Sequence, residues 1–176
     1  MQPRIGEDAS RAEVLMLRSA VGYQVRPNVS VWLGYAQLYF YQPNQRIEYR
    51  PFQQLLITSS LPTWDFVNRT RLEERFLPGG LDVVFRFRHL ARGFFPLTPD
   101  RKWAFIAQDE LFLNLNTVAP GVRSGYDQNR AFIGFSVAAS PTARVEFGYQ
   151  YTHVRVPTAA PDRNLHTLFT VVNFNL

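Results

Sequence analysis

Arginine and acidic residues recur at alternate positions through the middle of the chain. Arg69, Arg71, Glu73 and Arg75 form one run and Arg86 and Arg88 another, while Arg18, Glu110, Asp127, Arg130, Arg144 and Glu146 extend the pattern towards both ends. A guanidinium offers a rigid fork of donors and suits places where a cation is held by several hydrogen bonds in one geometry. The preference is general here, because of 19 Lys+Arg residues only Lys102 is lysine. Two chemistries follow: a salt-bridge plug that fills an enclosed space, or a cation-lined constriction that favours anionic solutes. The plug is the leading expectation, since small barrels are normally filled by side chains. Asp127 and Asn129 are expected at a strand mouth, tying an outer loop to Arg130.

Other chemistries find little support. The histidines are His89, His153 and His166. His153 sits at the end of an apolar face beside Thr152 with no serine on its strand, and His166 has Asn164 nearby but no evident serine partner. A nucleophile–base–acid relay is therefore not expected, and the chain is read as a non-enzyme with no catalytic residues. Three scattered histidines without paired spacing do not make a metal set, so no metal or cofactor is expected. The net charge is +5, but lysine is scarce and no basic stripe exists, which argues against nucleic acid. Absence of cysteine removes disulfides and thiolate chemistry without fixing a compartment.

The elements that must position these residues are strands. From Ala143 to Val154, residues Val145, Phe147, Tyr149 and Tyr151 share one face and Arg144, Glu146, Gly148, Gln150 and Thr152 the other. The same period of two runs through 15–25, 29–40, 67–76, 81–89, 103–115 and 130–138, with a weaker strand at 52–60 and a last one from Leu165 to Leu176. Asp109 falls on the apolar side of its strand, which calls for a bulge or a partner in a neighbouring strand. Turn-forming groups such as Arg26-Pro27-Asn28, Pro78-Gly79-Gly80 and Ser140-Pro141-Thr142 separate the strands. About nine strands are readable, in one β domain over 13–176, preceded by a polar segment over 1–12. At roughly nine to twelve residues each they match the length that a tilted strand needs to cross a bilayer.

Alternation leaves open which face is inside. A lipocalin-like soluble barrel would bury the apolar face and bind a ligand, whereas a membrane barrel would turn that face to lipid. Strand length, aromatic residues near strand ends (Tyr39-Phe40-Tyr41, Trp64, Phe94-Phe95, Trp103) and the preference for Arg over Lys favour the second. The expected architecture is an antiparallel up-and-down transmembrane β-barrel of about ten to twelve strands. It implies outer-membrane lipids (lipopolysaccharide and phospholipid) and the barrel-assembly machinery as partners.

The segments NRTRLEERF (68–76), DELFLN (109–114), YDQNRAFIGF (126–135), VWLGYA (31–36) and VEFGYQY (145–151) resemble the recurring strand motifs of the domain-of-unknown-function 2490 family. That resemblance implies an outer-membrane β-barrel of Gram-negative bacteria and implies no activity. Family members usually carry a signal peptide and further strand-like sequence at the front, so the resemblance also implies a shortened or alternatively started member. Bacterial membrane barrels have even strand numbers and a periplasmic C-terminus. On that rule Arg26-Pro27-Asn28 and Ser140-Pro141-Thr142 are periplasmic, and 42–50, 117–126 and 157–164 are outer loops. Nine strands would leave the N-terminus outside, so at least one N-terminal strand is either missing or unread. The functional expectation is structural or small anionic solute permeation, with an outer-membrane lipid-modifying enzyme as the contrasting one.

Overall fold

A computed structural model describes residues 2–5, 12–41, 45–79, 82–118, 121–157 and 160–174. The strands are β1 (Gln2–Ile5), β2 (Ala12–Arg26), β3 (Val29–Phe40), β4 (Arg46–Ser60), β5 (Asp65–Phe76), β6 (Val83–Pro96), β7 (Trp103–Asn114), β8 (Gly125–Ser140), β9 (Ala143–Val154) and β10 (Arg163–Phe174). Each pairs antiparallel with the next, giving one ten-stranded curled sheet in sequence order, the up-and-down topology of a barrel. Among the described residues β1 and β10 do not pair, so the sheet has the form of a half-barrel. Period-two patterning produces this outcome because β-branched and aromatic residues fill every second position and Gly, Pro, Asn and Asp punctuate the runs.

Several expected boundaries shift. Strand β1 lies inside the segment read as a polar lead, where Gln2–Ile5 pair with Ala12–Met16. This strand brings the number among the described residues to ten. Strand β4 starts at Arg46 rather than Phe52, so 46–50 is ladder and not outer loop. Likewise Gly125, Tyr126, Arg163 and Asn164 are strand residues. Strand β6 runs on from His89 to Pro96. Residues 175 and 176, read as the end of the last strand, lie outside the described residues, as does Leu81.

Connections 27–28, 61–64, 97–102 and 141–142 occupy one end of the sheet, and β3, β5, β7 and β9 run out at the other, where 115–118, 121–124, 155–157 and 160–162 lie outside the strands. The 97–102 turn is locked by Asp100, whose Oδ1 accepts from Thr98 Oγ1 at 2.5 Å and from the Lys102 amide at 3.0 Å. These two donors hold the Asp100 carboxyl below its usual pKa.

Burial shows which face is inside. Glu48, Arg71, Glu73, Arg86, Arg88, Glu110 and Glu146 are buried on the concave side, whereas Val21, Leu33, Ile133 and Phe135 are exposed on the other. Leu33, for example, is 65% exposed while Glu73 is 2% exposed. This is the reverse of a lipocalin-like barrel, which buries its apolar face. The outward aromatics form a ladder near the short-turn end: Trp64 stacks on Phe95 at 5.6 Å, and Phe95, Phe105, Phe135 and Phe147 follow at 6.1, 5.9 and 6.2 Å. Two of the expected girdle residues point the other way. Phe94 lies under the Arg144 guanidinium at 4.8 Å and Phe40 under Arg46 at 4.4 Å.

Space for rings on the concave side is made by glycine. A Cβ on Gly34 would stand 2.2 Å from Phe52 Cζ, with the ring fully buried against it. Gly34→Ala is expected to destabilise the fold by about 1–3 kcal/mol through overpacking, measured as a lowered urea midpoint. An unchanged midpoint would mean that Phe52 relaxes freely.

Candidate functional site

Three glutamates on the concave face, Glu48, Glu73 and Glu110, each gather two or three arginines. Strand β5 presents Glu73 and its alternate neighbours inward, and β6 presents Arg86 and Arg88 opposite them, because Glu73 pairs in register with Arg86 and Arg71 with Arg88. Glu73 Oε1 accepts from Arg88 Nη1 at 2.5 Å and from Arg71 Nη1 at 3.4 Å, and Oε2 accepts from Arg86 Nη2 at 3.0 Å. Glu110 Oε1, from β7, accepts from Arg88 Nη2 and Arg69 Nη2, both at 2.7 Å. Arg88 thus bridges the two carboxylates. Arg86 in turn reaches Asp127 Oδ2 at 3.2 Å, and Asp127 Oδ1 accepts from Asn114 Nδ2 at 3.0 Å.

A second centre stands nearer the loop end. Glu48 is held in a forked contact by Arg50, at 2.8 and 2.9 Å, and accepts from Arg75 Nε at 2.6 Å. Towards the other end Arg92 of β6 spans β7 and β8 to reach Glu146 of β9 at 2.6 Å. That pair borders a recess of about 210 Å³, lined also by Gln108, Phe132, Gln150 and Asn173.

The guanidiniums lie on aromatic floors. Arg88, Arg130 and Arg86 sit 4.5, 4.8 and 5.5 Å from the centre of the Phe112 ring, and Arg71 sits 4.1 Å from that of Phe52. Ring faces stabilise cations most where water is excluded. Arg71 also donates to Gln54 Oε1 at 2.6 and 3.1 Å. With its amide oxygen turned towards Arg130, Gln128 accepts from that residue at 2.6 and 2.8 Å.

Most residues expected on the ionic face are there, but their roles divide. Arg69, Arg71, Glu73, Arg86, Arg88, Glu110 and Asp127 form one connected lattice, while Arg75 and Glu146 belong to the flanking pairs. Arg144 lies apart from these pairs, donating to Ser136 Oγ at 3.1 Å and to the Arg101 carbonyl at 3.0 Å. Arg18 approaches Met16 Sδ at 3.2 Å and lies 5.9 Å from the Phe52 ring. Asn129 is not in the lattice at all. It sits on the outward face and donates to both oxygens of Asp109, at 3.0 and 2.9 Å, which supplies the neighbouring-strand partner that Asp109 called for. The physical reason is a register shift between β7 and β8 at Phe112/Leu113: Gln128 pairs with Phe112 and Tyr126 with Leu113, leaving Asp127 as the extra residue, aimed inward.

Glu48, Arg50 and Arg92, which make up the flanking pairs with Arg75 and Glu146, are ionic-face residues not among those expected from the sequence. Their signal was present as continued alternation, in Glu48-x-Arg50-x-Phe52 and in Arg86-x-Arg88-x-Leu90-x-Arg92. The histidines lie on the outward face. His153 Nδ1 contacts the Tyr126 hydroxyl at 2.7 Å and His153 Nε2 lies 3.3 Å from Asp162. His166 is bonded to Tyr149, and Asn164 instead accepts from Tyr151 at 2.7 Å.

A family model described as a protein of unknown function, DUF2490, matches residues 1–164. The chain belongs to that family. The matched range includes strands β5 to β8, which carry the Arg/Glu lattice described above. An uncharacterized protein of Methylorubrum extorquens is 37% identical over 157 residues, spanning 85% of this chain and 67% of the relative. No solved structure matches the chain.

Proposed function

We propose that this DUF2490 chain spans a bacterial outer membrane as a β-barrel with a non-enzymatic role, its Arg/Glu lattice forming a positively biased plug that passes only small anionic solutes. The observation that carries this reading is the inversion of burial, with ionised side chains packed on the concave face and large apolar side chains exposed on the convex one. An outward apolar wall bounded by aromatic residues is what lipid would cover. Strands of twelve to sixteen residues, β2 to β10, are long enough to cross. Outer-membrane lipids and the barrel-assembly machinery are the partners this reading requires.

The excess of guanidinium over carboxylate gives the sign. Arg18 and Arg144 face inward with neutral partners, and Arg71 with a neutral partner as well as a carboxylate. A passage along this face would favour anions by the same Coulomb logic that operates in charged constrictions. The test is planar-bilayer conductance of wild type beside Arg71→Ala and Arg86→Ala. Wild type should be mostly closed with anion preference, and the variants should open more often with weaker preference. Silence in all three proteins would overturn permeation and leave a structural role. The membrane reading itself is checked by detergent extraction and heat-modifiable gel migration, and a chain that is soluble and monomeric without detergent would overturn it.

A further inference from the structure

The recess beside the Arg92–Glu146 pair differs from the ionic lattice in having polar capacity left over. Register builds it: Arg92, Gln108, Phe132 and Gln150 are successive partners across β6 to β9, all on the concave face, and Asn173 of β10 closes the side. Among the described residues the Asn173 side chain makes no hydrogen bond. Gln108 accepts from Arg92 at 3.4 Å through Oε1 and leaves Nε2 unused, while Gln150 donates to Thr152 at 3.3 Å through Nε2 and leaves Oε1 unused. Glu146 takes Arg92 on Oε1 and keeps Oε2. The apolar part of the wall is two rings, Phe132 and Phe169, meeting edge to face at 5.8 Å. Glycine makes room for them: a Cβ on the paired Gly134 or Gly148 would stand 2.7 or 2.9 Å from Phe132 Cζ.

Unused N–H groups on Gln108 and Asn173 thus stand beside unused oxygens on Gln150, Asn173 and Glu146. A hydroxyl donates and accepts at once, so adjacent hydroxyls match such a mixed set, and the two rings offer a wall for a ligand's C–H face. At about 210 Å³ the space is smaller than the ~300–1,000 Å³ of drug-sized sites and suits one small ring. Charge narrows the class further. Arg92 and Glu146 satisfy each other at 2.6 Å, so an anion would compete with Glu146 and a cation with Arg92. An uncharged ligand bonds their free edges with the pair intact. We propose that the recess binds an uncharged monosaccharide of hexose size. The recess belongs to the concave face whether or not the wall behind it meets lipid, so the site does not depend on permeation.

The full chain is purified in a zwitterionic detergent without a sugar headgroup, and its folded state is verified by heat-modifiable migration. Equilibrium dialysis then follows radiolabelled glucose, galactose, mannose and N-acetylglucosamine, with acetate and inorganic phosphate as charged competitors. Saturable, stoichiometric binding of at least one sugar is expected, with neither anion displacing it. Asn173→Ala and Gln108→Ala, each removing one amide from the recess, should weaken that binding at least about fivefold. Thr170→Ala, on the exposed outward face of β10, should leave it unchanged. Folded wild type that takes up none of these sugars overturns the site. Displacement by acetate or phosphate overturns the uncharged class, and wild-type affinity in both amide variants overturns the recess as the place of binding.

Discussion

Glu73→Gln is expected to destabilise the fold by about 3–5 kcal/mol, because removing one partner of a buried ion pair leaves its counter-charges uncompensated. Here the carboxylate is 2% exposed and serves Arg71, Arg86 and Arg88 at once. Glutamine keeps the volume and one acceptor oxygen, so the loss reports charge rather than a cavity. Glu74, one residue on, faces the other way and accepts from the neutral Gln53 amide at 3.2 Å. Glu74→Gln should change stability by less than about 1 kcal/mol. Urea midpoints followed by heat-modifiable migration in lipid vesicles compare the two. Equal midpoints for Glu73→Gln and wild type would show that the three guanidiniums are solvated, which would remove the case for a plug.

Glu73 and Glu110 are joined through Arg88, so loss of either carboxylate leaves that arginine held by the other. Glu73→Gln and Glu110→Gln share a partner and should cost more together than the sum of the two alone, because only the double variant strips Arg88 of both carboxylates.

How much of this was legible in the sequence follows from what alternation can and cannot encode. A period of two assigns faces within one strand, which is why Arg69, Arg71, Glu73, Arg86 and Arg88 were placed on a common ionic face. It does not specify which rows meet across strands, so the Glu73-centred cluster and the Arg92–Glu146 span over two intervening strands were not readable. It also fails at an inserted residue. Asp127 and Asn129 have the same parity in sequence, yet the register shift at β8 sends the first to Arg86 and the second outward to Asp109. Pro51 hid the first half of β4, because a proline inside a run reads as a break. The glutamate and arginine before it, Glu48 and Arg50, were lost with that half. Strand β1 escaped for a simpler reason: Gln2–Ile5 is four residues long and too short to display a period.

The aromatic residues on the ionic face were equally visible as letters and uninformative as pattern. Phe52, Phe112 and Phe132 occur where polar groups were expected, and two of them prove to be floors for guanidiniums. Phe112→Ala is therefore expected to cost about 3–5 kcal/mol from cavity formation alone. The ring is 1% exposed and lies under Arg86, Arg88 and Arg130 together. Phe112→Leu separates the two contributions, since it restores most of the volume and none of the ring face. If only packing matters, leucine should recover stability to within about 1.5 kcal/mol of wild type. If the cations are held by the ring, leucine should remain about 2 kcal/mol or more below wild type, in line with desolvated cation–π contacts. The second outcome is the expected one, because the arginines here stack on a ring that borders the shared carboxylates. Midpoints for Phe112→Leu indistinguishable from wild type would reduce Phe112 to filler and leave the glutamates alone in holding the arginines in place.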